Sequence, residues 1–152
     1  MYICIASDHA GFTLKNDLLS YLKDEGHDVE DMGPYEQNLE DDYPDYCMPL
    51  AKKVAHNAEL LGIVIGFSGQ GEAMSCNRVL GARAAVYYGP TSNEQAGLEI
   101  LKLSREHNNA NILSLGAKFL STQEAKEATA IWLMMDFSHS ERHQRRIDKL
   151  DK

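Results

Sequence analysis

Glu72 sits inside a glycine-rich turn, in the run I-V-I-G-F-S-G-Q-G-E-A-M-S-C-N-R from Ile63 to Arg78. A carboxylate held in such a turn can work as a general base, provided burial lifts its pKa toward a useful value. Ile63, Val64 and Ile65 read as the end of a strand buried on both faces. Gly66, Gly69 and Gly71 then let the backbone turn sharply and approach a bound group closely. A turn of this kind before a helix leaves free N–H groups that suit an anion or an oxyanion.

Familiar motifs fail here on single residues. Gly66 to Gly71 has the G-x-x-x-x-G spacing of a nucleotide P-loop, but Glu72-Ala73 follows where Lys-Ser/Thr belongs, and a carboxylate repels a polyphosphate. Met74 stands where the last glycine of G-x-G-x-x-G is needed. Gln70 stands where G-x-S-x-G closes. An ATPase, a dehydrogenase and a serine hydrolase are all disfavoured. A bland reading survives beside the catalytic one, because Glu in the first turn of a helix is favoured by the macrodipole alone.

Other clusters also carry chemistry. Asp8-His9 closes the apolar run Tyr2 to Ser7, and His107-Asn108-Asn109 ends a helical stretch. Arg142 and Arg146 are four apart and share a helix face. Guanidinium groups side by side repel, a cost that an anion between them relieves, and arginine forks match phosphate oxygens. The plain alternatives are a cationic helix end at His107 and a solvated basic terminus at the arginines. The histidines are scattered, and His139-x-x-x-His143 lacks a third partner, so neither a metal ion nor another cofactor is expected.

The elements that must position these groups belong to a chain of 152 residues, 43% hydrophobic, with a net charge of -8. That supports a single domain over residues 1–152 with a proper core. Its acidity argues against nucleic acid or an anionic membrane surface as partner, and no apolar run is long enough to span a bilayer. Asp8 and His9 interrupt the first apolar stretch, so no signal peptide is expected. Cys4, Cys47 and Cys76 are odd in number with no C-x-x-C, which fits buried reduced thiols in a cytoplasmic protein.

Strands are expected at Tyr2 to Ser7, Val29 to Met32, Leu61 to Ile65, Ala82 to Tyr88 (closed by Gly89-Pro90) and Asn111 to Leu115. Leu14, Leu18, Leu19 and Leu22 recur with helical spacing before Gly26 as C-cap. Further helices are expected from Pro44 to about Ala58 and from Ser92 to Glu106. Two more open at the capping-box pairs Ser121/Glu124 and Ser138/Glu141. Gly33 to Asp45 is a long irregular stretch, of the kind that is functional or mobile. The alternation predicts an α/β fold: a three-layer, doubly wound, Rossmann-like or flavodoxin-like parallel sheet of five strands, helices on both faces and an extra C-terminal helix.

Ligands of such sheets bind outside the carboxyl ends of the strands. Asp8-His9 and Gly66 to Glu72 follow strands, so both belong on that edge. His107 precedes a strand and belongs on the opposite edge. A catalytic His107 would therefore reach the Glu72 of a second subunit, in a symmetric dimer with shared sites.

With these pieces in order, the chain resembles, nearly end to end, the ribose-5-phosphate isomerase B family, which includes the galactose-6-phosphate isomerase subunits. The matching segments are S-D-H-A-G at Ser7 to Gly11, D-Y-P-D-Y at Asp42 to Tyr46 and S-G-Q-G-E at Ser68 to Glu72. Asn77-Arg78, R-E-H-N-N-A-N at Arg105 to Asn111 and R-H-Q-R-R at Arg142 to Arg146 complete the set. The family places its base either as a cysteine at the end of strand three, here Gly66, or as a glutamate after the S-G-x-G segment, here Glu72. The resemblance thus implies the glutamate subtype. It further implies that Asp8 and His107 handle ring opening and proton donation. Asn108, Tyr43, His9 and the segment Phe67, Ser68, Gly69, Gln70 and Gly71 would hold the sugar and its enediolate. His9, Lys118, Arg142 and Arg146 would hold the phosphate.

The implied activity is a metal-free aldose–ketose isomerisation of ribose 5-phosphate and ribulose 5-phosphate in the pentose phosphate pathway, in a cytoplasmic homodimer or a dimer of dimers. Departures from the family pattern bear on this. Phe67 replaces a glycine, Lys118 replaces an arginine and so loses the bidentate fork, and Tyr87 to Ser104 is longer by roughly two helical turns. A hexose 6-phosphate isomerase of galactose or allose type, and a non-catalytic sugar-phosphate or nucleotide-binding module, stand as the alternatives.

Overall fold

The computed structural model describes residues 1–89 and 94–152. The strands are β1 (Tyr2–Ser7), β2 (Asp28–Asp31), β3 (Leu60–Gly66), β4 (Ala84–Tyr87) and β5 (Ile112–Gly116). The helices are α1 (Phe12–Asp24), α2 (Pro44–Ala55), α3 (Gln70–Cys76), α4 (Glu94–Glu106), α5 (Thr122–Leu133) and α6 (Glu141–Ile147). All strand pairs are parallel, in the order β2-β1-β3-β5-β4.

Strand alternation sorts the side chains onto separate faces. Ile3, Ile5, Ile63, Ile65, Leu113 and Leu115 face one core, where they meet α1, α4 and α5 through residues such as Leu18, Leu101 and Trp132. Cys4, Ala6, Val64 and Ile112 face the other, covered by Leu50, Ala51 and Val54 of α2 and Cys76 of α3. Both faces of the central strands are dry, which is why these strands read as continuous apolar runs. The expected doubly wound sheet, with α6 as an extra C-terminal helix, is the fold observed.

Several boundaries differ from expectation for local reasons. Ser121 and Glu124 form the expected capping box at the start of α5. Ser138 and Glu141 do not: Ser138 Oγ is engaged with His143 Nδ1 at 3.0 Å, and the N-cap of α6 is instead Ser140, whose carbonyl accepts from His143 and Gln144 N–H. β4 starts at Ala84 and not Ala82, because side chains take the backbone just before it. Asn111 Oδ1 accepts from Arg83 N–H, and Asn77 Oδ1 from Ala84 N–H. α2 stops at Ala55, short of Ala58, where Asn57 begins a turn that accepts from Glu59 and Leu60 N–H. The expected helix start at Ser92, the closing Pro90 and part of the Tyr87 to Ser104 stretch lie outside the described residues.

The free cysteines Cys4, Cys47 and Cys76 are all buried. Among the described residues, no helix is long and apolar enough to cross a membrane.

Candidate active site

β1 and β3 are neighbours, and the chain leaves β1 and β3 for opposite flanks of the sheet, so their carboxyl ends frame a crevice. The loop after β1 closes tightly on β3. Asp8 N–H donates to Ile65 O at 3.3 Å, and a Cβ on Gly11 would overlap that same carbonyl. Asp8 is 6% exposed, and its Oδ1 accepts from the N–H groups of Ala10 at 3.0 Å and Gly11 at 3.1 Å.

The glycine-rich turn is built on β3 and β5. Gly69 takes a φ of 76°, which a side chain resists, and its carbonyl accepts from Ser114 Oγ at 2.6 Å. Ala117 and Lys118 N–H donate to Gly66 O and Phe67 O at 2.8 and 3.0 Å. This puts Lys118 beside the turn. Ser68 Oγ accepts from Gln70 N–H at 3.4 Å. The Tyr43 ring lies against Gly71, where an added Cβ would come within 2.8 Å of Tyr43 Cζ.

Glu72 follows as the first-turn acid of α3, yet its side chain does not reach for solvent. It is 4% exposed, and its carboxylate fills the space that a side chain on Gly66 would occupy. Burial, and then the charge of Asp8, hold its pKa above the ordinary carboxyl value against its own backbone N–H, which lowers it. A glutamate present only for the helix dipole would be solvated. This one is desolvated at the mouth of the crevice, the condition under which a carboxylate becomes a base.

His9 belongs to the same edge. Asp41 Oδ1 accepts from His9 N–H at 2.9 Å and lies 2.6 Å from His9 Nδ1. That hydrogen bond raises the His9 pKa above its ordinary 6.5. The charge-linked part of the stabilisation is present below 6.5 and lost as pH rises through the folded value. Asp41→Asn is therefore expected to return the His9 titration toward 6.5 in ring-resolved NMR, and to depress the melting temperature more at about pH 6 than at about pH 9. Equal depression at both would separate His9 from Asp41.

Phe67 was expected against the substrate. Its ring is 57% exposed and stands edge-on to Phe119, with centroids 6.3 Å apart.

His107, Asn108, Arg142 and Arg146 lie elsewhere. His107 ends α4, which runs back to the amino ends of the strands, and its ring sits 4.2 Å from that of His143 on α6. Buried His143 accepts from Arg142 Nε at 3.0 Å, and burial followed by the charges of His107, Arg142 and Arg146 lowers its pKa. Asn108 and Arg146 line a cleft of about 440 Å³ with Arg83 and Asn77. The expected phosphate set is thus divided: His9 and Lys118 at the carboxyl edge, Arg142 and Arg146 at the amino edge. Gly62 N–H meets Asn111 O at the start of the strand that ends at Gly66. At ~3.3 Å per residue, this separates Glu72 from the His107 turn by about 13 Å or more.

The partners Asp41 and Ser114, and the cleft-lining Arg83, were not singled out from the sequence. A serine inside the buried strand Ile112–Gly116 was a readable signal, since a buried hydroxyl needs a partner. Asp41 has acidic neighbours on both sides and offered none. Among the described residues, no three His, Cys, Asp or Glu side chains group as metal ligands.

Comparison with known proteins gives a consistent result. A family profile described as Ribose/Galactose Isomerase matches residues 3–150. Ribose-5-phosphate isomerase B of Mycolicibacterium paratuberculosis is 37% identical over 150 residues, covering 99% of this chain and 89% of that protein. A probable ribose-5-phosphate isomerase B of Mycoplasma genitalium is 40% identical over 149 residues, covering 97% and 92%. The crystal structure of the Mycoplasma genitalium isomerase B with bound ribulose 5-phosphate superposes with a TM-score of 0.88 at 38% identity, covering 98% of this chain and 93% of that one. A ribose 5-phosphate isomerase from Thermotoga maritima gives 0.88 at 37% identity, covering 99% and 97%.

Proposed function

Because this chain belongs to the ribose/galactose isomerase family, we propose that it interconverts ribose 5-phosphate and ribulose 5-phosphate, with Glu72 as the base. The observation that carries the assignment of the base is the buried carboxylate folded over Gly66 beside Asp8, with its pKa raised.

The chemistry follows from the position of that group. In the open-chain aldose, Glu72 takes the proton from C2. The C–H electron pair becomes the C1=C2 bond, and the carbonyl oxygen at C1 becomes the enediolate oxygen. The N–H groups of Ser68, Gly69 and Gly71 in the turn serve that developing charge as an oxyanion hole. The protonated Glu72 then delivers its proton to C1, while the C2 hydroxyl loses a proton and the C1 oxygen gains one, leaving the ketone at C2. Asp8 and His107 serve ring opening and the oxygen-to-oxygen proton traffic. The phosphate sits away from Glu72, since adjacent anions repel, and is held by His9, Lys118, Arg142 and Arg146.

One chain holds Glu72, Asp8, His9 and Lys118 at one edge and His107, Arg142 and Arg146 at the other. This supports a homodimer in which each site takes its halves from different subunits.

The direct test is ribulose 5-phosphate formation from ribose 5-phosphate with EDTA present throughout. Turnover is expected under these conditions. Absence of turnover with this substrate, together with turnover of galactose or allose 6-phosphate, would transfer the reading to a six-carbon substrate. Ligand binding without any turnover would leave a binding module.

A further inference from the structure

Arginines with no part in the chemistry above converge on the turn that carries His107. Arg83 Nε donates to Asn109 O at 2.8 Å and Arg83 Nη1 to Gly81 O at 3.0 Å. Arg105, 9% exposed, donates from Nη1 to Ala110 O at 2.6 Å and from Nε to Met135 O at 3.0 Å. Its guanidinium also lies over the Trp132 ring, 5.1 Å from the centroid. Successive carbonyls after His107 are thus tied to separate guanidinium groups. Asn109 itself takes a φ of 47°, in the left-handed region that asparagine adopts more readily than other side chains.

Arg83 grips the same segment through its backbone. Its N–H donates to Asn111 Oδ1 at 2.8 Å, and Asn111 Nδ2 donates to Gly81 O at 2.8 Å. Cations at the end of a helix are ordinary, but this pair is not a simple cap. Burial lowers the pKa of both; Asp151 opposes this for Arg83 and Asp136 for Arg105, and the charge of Arg83 lowers that of Arg105 by a smaller amount. Holding like charges together under cover is costly. Asn109 already caps α4, its N–H donating to Arg105 O at 2.9 Å from a left-handed backbone, so the arginines are not needed to end the helix. The arrangement is explained if the conformation of this particular turn has to be fixed.

We propose that Arg83 is a positioning residue for His107. Its fork fixes the Asn109 carbonyl relative to Gly81, and with it the direction in which the His107 side chain leaves the turn. The His143 ring sets the imidazole from the other side. The proposal rests on the isomerase reading through the role given there to His107. Lysine keeps the charge but cannot span two carbonyls with a rigid fork. A displacement of ~1 Å at a reacting group costs about 10²-fold in rate.

The experiment measures kcat/KM for ribose 5-phosphate in Arg83→Gln and Arg83→Lys, each alone, with His107→Asn, and with Lys118→Ala as a comparison background that acts at the phosphate. Arg83→Gln is expected to lower kcat/KM by about 10²-fold, and Arg83→Lys by less. In the His107→Asn background most of that loss should vanish, because the group through which Arg83 acts is gone. Combined with Lys118→Ala the losses should multiply, because Lys118 acts on the phosphate and not through His107. If Arg83→Gln fails to fold, the same comparison runs on Arg83→Lys. Losses that multiply in both backgrounds would mark a diffuse structural role and overturn the proposal alone, as would full activity in the Arg83 variants. A fully active His107→Asn would overturn the catalytic reading of His107, and the proposal with it.

Discussion

Glu72→Gln is expected to lower kcat by about 10²- to 10⁴-fold, the usual contribution of a positioned base, while raising the melting temperature at pH above the folded Glu72 pKa. Both effects come from one observation. The carboxylate is buried over Gly66, and burial together with Asp8 raises its pKa. A carboxyl whose folded pKa lies above its unfolded value stabilises the fold in its protonated form. That contribution is complete below the unfolded value of about 4.3 and is lost as pH rises through the folded value. Above the folded value the wild-type protein has lost it. Glutamine has the same shape and no charge to desolvate, so it avoids the loss. The gap in melting temperature should be widest above the folded pKa and close by about pH 4. The same titration should set the acid limb of the wild-type rate profile, because only the ionised group can take a proton. Saturation kinetics and thermal melts across pH read both. A kcat within tenfold of wild type would remove Glu72 as base. A variant less stable than wild type above the folded pKa would mean that the carboxylate is held by attraction and not merely buried.

Glu72 and its turn were legible because their signals are local: a β-branched run, three glycines and an acid, in adjacent positions. The alternation of strands and helices was equally readable, since both cores are filled by the period-two alternation of β1, β3 and β5. Even the division of the site between sheet edges followed from element order, as a residue after a strand and a residue before one must part company in a parallel sheet. What failed to show was whatever depends on a distant segment. The insertion of β5 between β3 and β4 is a tertiary choice. The pairing of His9 with Asp41 joins residues 32 apart, and nothing marks Asp41 off from Glu40 and Asp42. The Ser138 cap failed because an i, i+3 pattern cannot know that the hydroxyl will be taken by His143. The overlap of the Glu72 carboxylate with the Cβ position of Gly66 is a contact across a turn, invisible as spacing. A side chain at 66 and the carboxylate of 72 would compete for the same space.

Mixing His107→Asn subunits with Glu72→Gln subunits, each nearly inactive alone, is expected to restore about a quarter of wild-type activity per subunit. The figure follows from symmetry. In a dimer whose sites each take Glu72 from one subunit and His107 from the other, a mixed dimer has one site with both residues intact and one with neither. Equal mixing makes half of the dimers mixed, so about one site in four is whole. If each chain instead used its own Glu72 and His107, no mixture could contain an intact site, and activity would stay at the sum of the residual rates. The geometry favours the first outcome. Glu72 lies where β3 ends at Gly66, and the His107 turn lies beyond the other end of the same strands, about 13 Å or more away at ~3.3 Å per residue. Proton transfer needs heavy atoms about 3 Å apart. Arg142 and Arg146 share the fate of His107, since α6 is tied to it through His143. Arg142→Ala subunits should therefore complement Glu72→Gln and fail to complement His107→Asn. Flat activity in every pairing, once exchange of subunits has been verified by mass, would require the sheet edges to meet within one chain and would overturn the shared site.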